Sequence, residues 1–96
     1  MRKLEWTAPA LQDLDAIDAW LSTEADADVA VRMLTAIRRR ADFLLDFPSG
    51  GPPISDTDSH SLRVRRTPYT LVYRLLGDER IEILRIHHAA QDWRGE

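Results

Sequence analysis

Arg63, Arg65, Arg74 and Arg85, together with the adjacent pair His87–His88, are the residues whose types could do chemistry as a group. Guanidinium groups make planar, two-pronged contacts to carboxylate or phosphate. A histidine near neutral pH can give or take a proton. On one face, these side chains would hold an anion such as an RNA phosphate, with His87 or His88 as acid or base. The competing reading is a charged sheet surface that docks an acidic partner. Register decides between them, because Arg63 and Arg85 on opposite faces would dissolve the cluster.

Charge favours the partner. The 96 residues carry a formal net charge of -3, which argues against a general nucleic-acid binder. Twelve of the thirteen basic residues are arginine, and only Lys3 is lysine, a bias toward specific carboxylate or phosphate contacts. The charges are also segregated. Six acids and no base lie from Asp13 to Asp28, and six arginines against three acids lie from Arg63 to Arg85. The acidic run reads first as a solvated helix face and second as a mimic of DNA phosphate or a dock for a basic partner.

A second constellation, Asp56-x-Asp58-x-His60, has ligand-type side chains but lacks the glycine and distal glutamate of a calcium loop. His87 and His88, as strand neighbours, point to opposite faces and cannot easily share an ion. Neither a metal nor a cofactor is expected. There is no cysteine, hence neither disulfide nor thiol chemistry, which fits a reducing cytoplasm. Neither a signal peptide nor a membrane-length apolar run is visible.

The elements that must position these residues can be read from periodicity. Arg2 to Trp6 alternates as a short half-buried strand. Thr7 caps a helix with Pro9 in its first turn, carrying Leu11, Leu14, Ile17 and Leu21 on one stripe and Trp20 at its edge. After a break at 22–25, Asp26 caps a second helix with Ala30, Met33, Ile37, Ala41 and Leu44 on one face. Asp28–Arg32 and Arg38–Asp42 are i,i+4 pairs on this helix. Phe47-Pro48 ends it. Residues 48–60, with three prolines and two glycines, form a long loop. Leu62 to Arg65 alternates, Thr67-Pro68 turns, and Tyr69 to Leu76 reads as a central strand. Gly77-Asp78 signals a hairpin. In the last strand, plain alternation puts Glu82, Leu84, Ile86 and His88 on one face and Ile81, Ile83, Arg85 and His87 on the other. Ala89 to Trp93 reads as a terminal helical turn. The expected fold is α+β: a single domain over 1–96, order β-α-α-β-β-β, a two-layer sandwich with a helical hairpin on one face of an antiparallel sheet.

The ordered set Trp6-Thr7, Ala10, Asp13-Leu14, Ile17, Ala30, Ile37, Leu44 to Pro48, Gly51, Leu62-Arg63-Val64, Thr67-Pro68-Tyr69, Val72-Tyr73-Arg74 and Ile83 to Trp93 resembles the ParE/RelE family of type II toxins from bacterial toxin–antitoxin modules. The likeness runs from Leu4 to Trp93. It implies the same β-α-α-β-β-β sandwich and a partner antitoxin whose C-terminal segment wraps the toxin. The family divides. RelE-like members cleave mRNA on the ribosome without a metal, using basic and histidine or aromatic residues on the sheet. ParE-like members lack that set and poison DNA gyrase. With few lysines, a negative net charge and Pro52 after Gly51, this chain looks closer to ParE. On that resemblance Arg63, Arg65, Arg74, Arg85 and Trp93 are expected to meet the antitoxin. The alternative makes it an endoribonuclease through His88, His87, Arg63 and Arg85.

Overall fold

The computed structural model describes residues 2–89. Six elements follow the expected order: β1 (Lys3–Trp6), α1 (Ala8–Glu24), α2 (Ala27–Asp46), β2 (Ser59–Arg63), β3 (Tyr69–Leu76) and β4 (Arg80–His88). The strands lie in the order β1-β4-β3-β2.

Both helix starts are built by the residues the sequence nominated. The Thr7 hydroxyl accepts from the Ala10 N–H at 3.3 Å, and Asp26 accepts from the Val29 N–H at 2.9 Å. Thr7 also ties the helix to the sheet, its hydroxyl donating to the carbonyls of Ile83 and Leu84 at 3.0 and 3.1 Å. The stripe of α1 that reaches the core is Ala10, Leu14 and Leu21, with Ile17 partly buried, whereas Leu11 is exposed. Ala10 is fully buried at the start of α1, next to the point where Thr7 ties the helix to the sheet. The second helix buries Ala30, Ile37, Ala41 and Leu44. Neither Asp28–Arg32 nor Arg38–Asp42 closes as an ion pair among the described residues.

The sheet is mixed rather than wholly antiparallel. Strands β2–β3 and β3–β4 pair antiparallel, but β1 joins β4 in parallel, Leu4 opposite Ile81 and Trp6 opposite Ile83. The chain between them, the helical hairpin followed by β2 and β3, is long enough for the crossover that parallel pairing needs. The helices cover one face, where Trp6, Leu62, Val64, Leu71, Tyr73, Ile81, Ile83 and Ile86 meet Ala10, Leu14, Ile37, Ala41 and Leu44.

A β-bulge breaks the expected alternation of β4. Tyr73 faces Ile83 and Val72 faces Arg85, so Leu84 has no opposite number. Upstream of it, Ile81 and Ile83 point into the core. Downstream, the phase has shifted, and Ile86 and His88 share that face. The plain reading, which set Ile86 with Glu82 and apart from Ile83, is corrected by this single extra residue.

The loop after α2 folds back along the free edge of β2. Pro53 bridges His60, the Ser61 N–H donates to the Pro52 carbonyl at 3.0 Å, and the Ile54 N–H to Ser59 at 2.9 Å. The Tyr73 hydroxyl anchors it from beneath, donating to the Pro48 carbonyl and accepting from the Gly51 N–H, both at 3.0 Å. The approach is so close that a Cβ on Gly51 would collide with the Ser61 carbonyl oxygen.

Candidate functional site

Cross-strand register sorts the nominated residues onto faces. The sheet face away from the helices carries three rows: Ser59–Arg74–Glu82, Ser61–Val72–Arg85 and Arg63–Thr70–His87. His88 lies on the other face, opposite Tyr69. The structure therefore brings Arg63 and His87 into one row and separates both from His88.

His88 faces a cleft of about 370 Å³ under α1, lined by Asp13, Ala16, Ile17, Trp20, Tyr69 and Ile86. Its ring meets Tyr69 edge-on, with centroids 5.5 Å apart. Burial raises the pKa of the Tyr69 hydroxyl. Apart from Asp13 its walls are mostly apolar and aromatic, with no arginine among the described residues that line it.

Arg85 is spoken for within the chain. Its Nε and Nη2 donate to the two carboxylate oxygens of Asp13 at 2.7 and 3.0 Å. The Ile86 N–H also donates to Asp13, at 2.9 Å. Beyond Ile83 the edge of β4 is no longer paired by β1, and Asp13 supplies the acceptor that the missing strand would have given. Desolvation opposes ionisation of Asp13, but the Arg85 and Ile86 hydrogen bonds and the nearby charges of Arg85 and His87 outweigh it. The carboxyl ends below its ordinary range. Arg74 is similarly engaged, donating to Glu82 at 2.7 Å with Asp58 at 3.9 Å. Arg80 pairs with Glu5 across the parallel strands at 2.7 Å.

Of the four arginines nominated from the sequence, Arg63 and Arg65 have no carboxylate partner among the described residues, and they lie at a corner where α2 meets the end of β2. Arg63 and Arg65 are exposed there. They are joined by two residues that sequence reasoning passed over, Arg40 and Phe43. Arg40 lies over the Phe43 ring, 4.6 Å from its centroid, and its Nε donates to the Arg63 carbonyl at 2.8 Å. Burial and the positive charge of Arg65 both lower the Arg40 pKa. The run Arg38-Arg39-Arg40 was the visible signal, but only the packing of α2 against the sheet shows that Arg40 reaches β2. Trp93 lies outside the described residues. Among those residues no three His, Asp or Glu side chains gather as a metal site, and no helix is long and apolar enough to cross a membrane.

Comparison with known proteins agrees with this architecture. The chain is 34% identical over 92 residues to the Sinorhizobium fredii protein named "Putative toxin Y4kP", covering 96% of this chain and 93% of that one. The chromosomal ParDE toxin–antitoxin system from P. aeruginosa superposes with a TM-score of 0.80 at 28% identity, over 92% of this chain and 96% of that one. The intact E. coli RelBE toxin–antitoxin complex shares the fold, with a TM-score of 0.63 at 14% identity, over 95% of this chain and 100% of that one. A family model described as the ParE toxin of the type II toxin–antitoxin system, parDE, matches residues 4–93. With two helices against a four-stranded mixed sheet, and with that match spanning nearly its whole length, the chain belongs to the ParE toxin family of type II toxin–antitoxin systems.

Proposed function

We propose that this protein is a cytoplasmic growth-arresting toxin that inhibits DNA gyrase by binding rather than by catalysis, and that a cognate antitoxin neutralises it. The observation that carries the reading is the Asp13–Arg85 pair. A nuclease of the RelE kind would need Arg85 and a histidine converging on the scissile phosphate. Here Arg85 is neutralised by a two-pronged carboxylate. His88 is turned to the helix side of the sheet, away from Arg63. His87 shares a row with Arg63, but with Thr70 between them. The remaining basic side chains suit protein contact, and the toxin–antitoxin systems to which the chain is similar favour an antitoxin partner.

Expression without antitoxin should arrest growth and give gyrase-linked DNA breaks, with no codon-specific stops in toeprinting of ribosome-bound mRNA. Cleavage of mRNA abolished by His87→Ala or His88→Ala, with gyrase unaffected, would overturn the assignment in favour of a ribosome-dependent endoribonuclease.

A further inference from the structure

Strand β1 ends the sheet with one side open. It stands last in the strand order, and β4 is its strand partner among the described residues. The Lys3 N–H donates to the Glu79 carbonyl at 2.6 Å, and the Thr7 N–H to the Ile83 carbonyl at 3.1 Å. Backbone groups alternate in direction along a strand. Lys3, Glu5 and Thr7 therefore turn theirs toward β4, and Arg2, Leu4 and Trp6 turn theirs to the open edge. Such an edge is a template for another strand, and native proteins commonly guard it with a lysine or a proline. This edge has no proline, and its lysine is followed two residues later by an acid.

Those two charges are self-complementary. Leu4 and Trp6 pack toward the core, so Lys3 and Glu5 stand on the opposite face, one on each side of Leu4. Arg80 takes one Glu5 oxygen at 2.7 Å and leaves the other. Lys3 has no carboxylate partner among the described residues. A second copy laid antiparallel about Leu4 sets each Lys3 opposite the other chain's Glu5. The same register sets Leu4 against Leu4 and Trp6 opposite Arg2, a pairing that suits a cation on an aromatic face. It also makes the outward-turned residues Arg2, Leu4 and Trp6 the hydrogen-bonded pairs. Sliding by two residues would set Lys3 on Lys3 or Glu5 on Glu5, so the charges select one register. Next to Trp6 lies a dent of about 270 Å³ lined also by Leu11, Leu14, Arg38 and Asp42, and Leu11 is 47% exposed. It offers apolar surface to cover beyond a strand that is short by itself.

We propose that two copies of this chain pair through their β1 edges as a two-fold dimer, joining the two four-stranded sheets into one. A strand from another protein would need the matching acid–base order, which this chain already carries, and an isologous contact needs no second sequence. The pairing goes beyond the toxin reading and depends on neither the antitoxin nor the target.

Sedimentation of the full chain over a concentration series tests it. With a short strand at its centre the dimer should dissociate at about 10–100 μM. Lys3→Glu and Glu5→Lys, each alone, place like charges opposite one another twice per dimer and should weaken it at least about tenfold, with far-UV circular dichroism unchanged. Mixed in equal amounts, the two variants should recover most of the affinity by pairing with each other, which a loss of folding in either would not allow. Lys3 is the chain's only lysine, so a carbodiimide should link it to Glu5 of the second copy. Lys3→Arg should still sediment as a dimer and lose that link. A wild type that stays monomeric to about 1 mM, single variants that dimerise as the wild type does, or a mixture that stays monomeric would each overturn the proposal. A dimer cross-linked through other residues would also overturn it, by placing the contact elsewhere.

Discussion

Asp13 and Arg85, separated by 72 positions, are joined through both carboxylate oxygens, and the same carboxylate caps the Ile86 N–H. One side chain of α1 thus closes an open sheet edge and neutralises an arginine that could otherwise have faced a ligand. Asp13→Asn keeps an acceptor for Ile86 but removes the charge. The expected loss is about 1 kcal/mol, after allowance for the half-exposed arginine, or a Tm lower by roughly 4–8 °C. The pH dependence has a definite sign. The folded pKa of Asp13 lies below its ordinary value of 3.8, so its contribution is complete above that value and is lost as pH falls through the folded pKa. Denaturant titrations of both proteins should show a constant difference near neutrality that shrinks below about pH 4.

Arg85→Glu places two carboxylates against each other at the same spot. Stability should fall by about 2 kcal/mol. Any loss of antitoxin binding should then track unfolding, and should be recovered in part by the reciprocal change Asp13→Arg. Arg63→Glu, on an exposed side chain without a carboxylate partner among the described residues, should leave Tm nearly unchanged. Thermal melts run beside binding titrations separate the two cases.

Tyr73→Phe deletes a buried hydroxyl that bridges the Gly51 N–H and the Pro48 carbonyl. Both groups lose their partner, at a cost of about 1–3 kcal/mol. Limited proteolysis should then cut within 48–60 faster than in the wild type. Gly51→Ala should be worse, since its Cβ would drive into the Ser61 carbonyl. A soluble, fully stable Gly51→Ala protein would show that the loop does not hold the close contact with β2 described above.

Growth arrest should survive His87→Ala and His88→Ala when each is expressed without antitoxin. For His88→Ala, loss of the ring packed on Tyr69 should cost about 1 kcal/mol, visible in melting but not in toxicity. Toxicity abolished in a variant that still melts cooperatively would point to catalysis.

Much of the fold was legible because its signals are local. Thr7 and Asp26 announced the helix starts, Gly77 the hairpin turn at φ 65°, and Tyr69–Leu76 a strand with the bounds it has. What failed was non-local. A one-residue bulge at Leu84 leaves no mark in composition, yet it resets the face of every later residue, including Ile86. The parallel partnership of β1 was invisible for the same reason, since nothing in Lys3–Trp6 specifies which strand it meets. The site was half legible. Arginine content pointed to carboxylate or phosphate contacts, and residue type named Arg63 and Arg65, which are exposed without a carboxylate partner among the described residues. But whether an arginine is available depends on carboxylates far away in sequence, such as Asp13 and Glu82, and Arg40 with Phe43 became part of the corner only through the packing of α2 beside β2.

The pairing of β1 with β4 has a consequence for the order of events at synthesis. The first strand made has as its sheet partner the last, and Asp13 waits for Arg85. Until β4 is made, Leu4 and Trp6 lack their sheet partners Ile81 and Ile83, so the nascent chain cannot complete its core. The sheet that the two helices cover is thus complete only once β4 has been made, so the fold closes late through its most distant contacts.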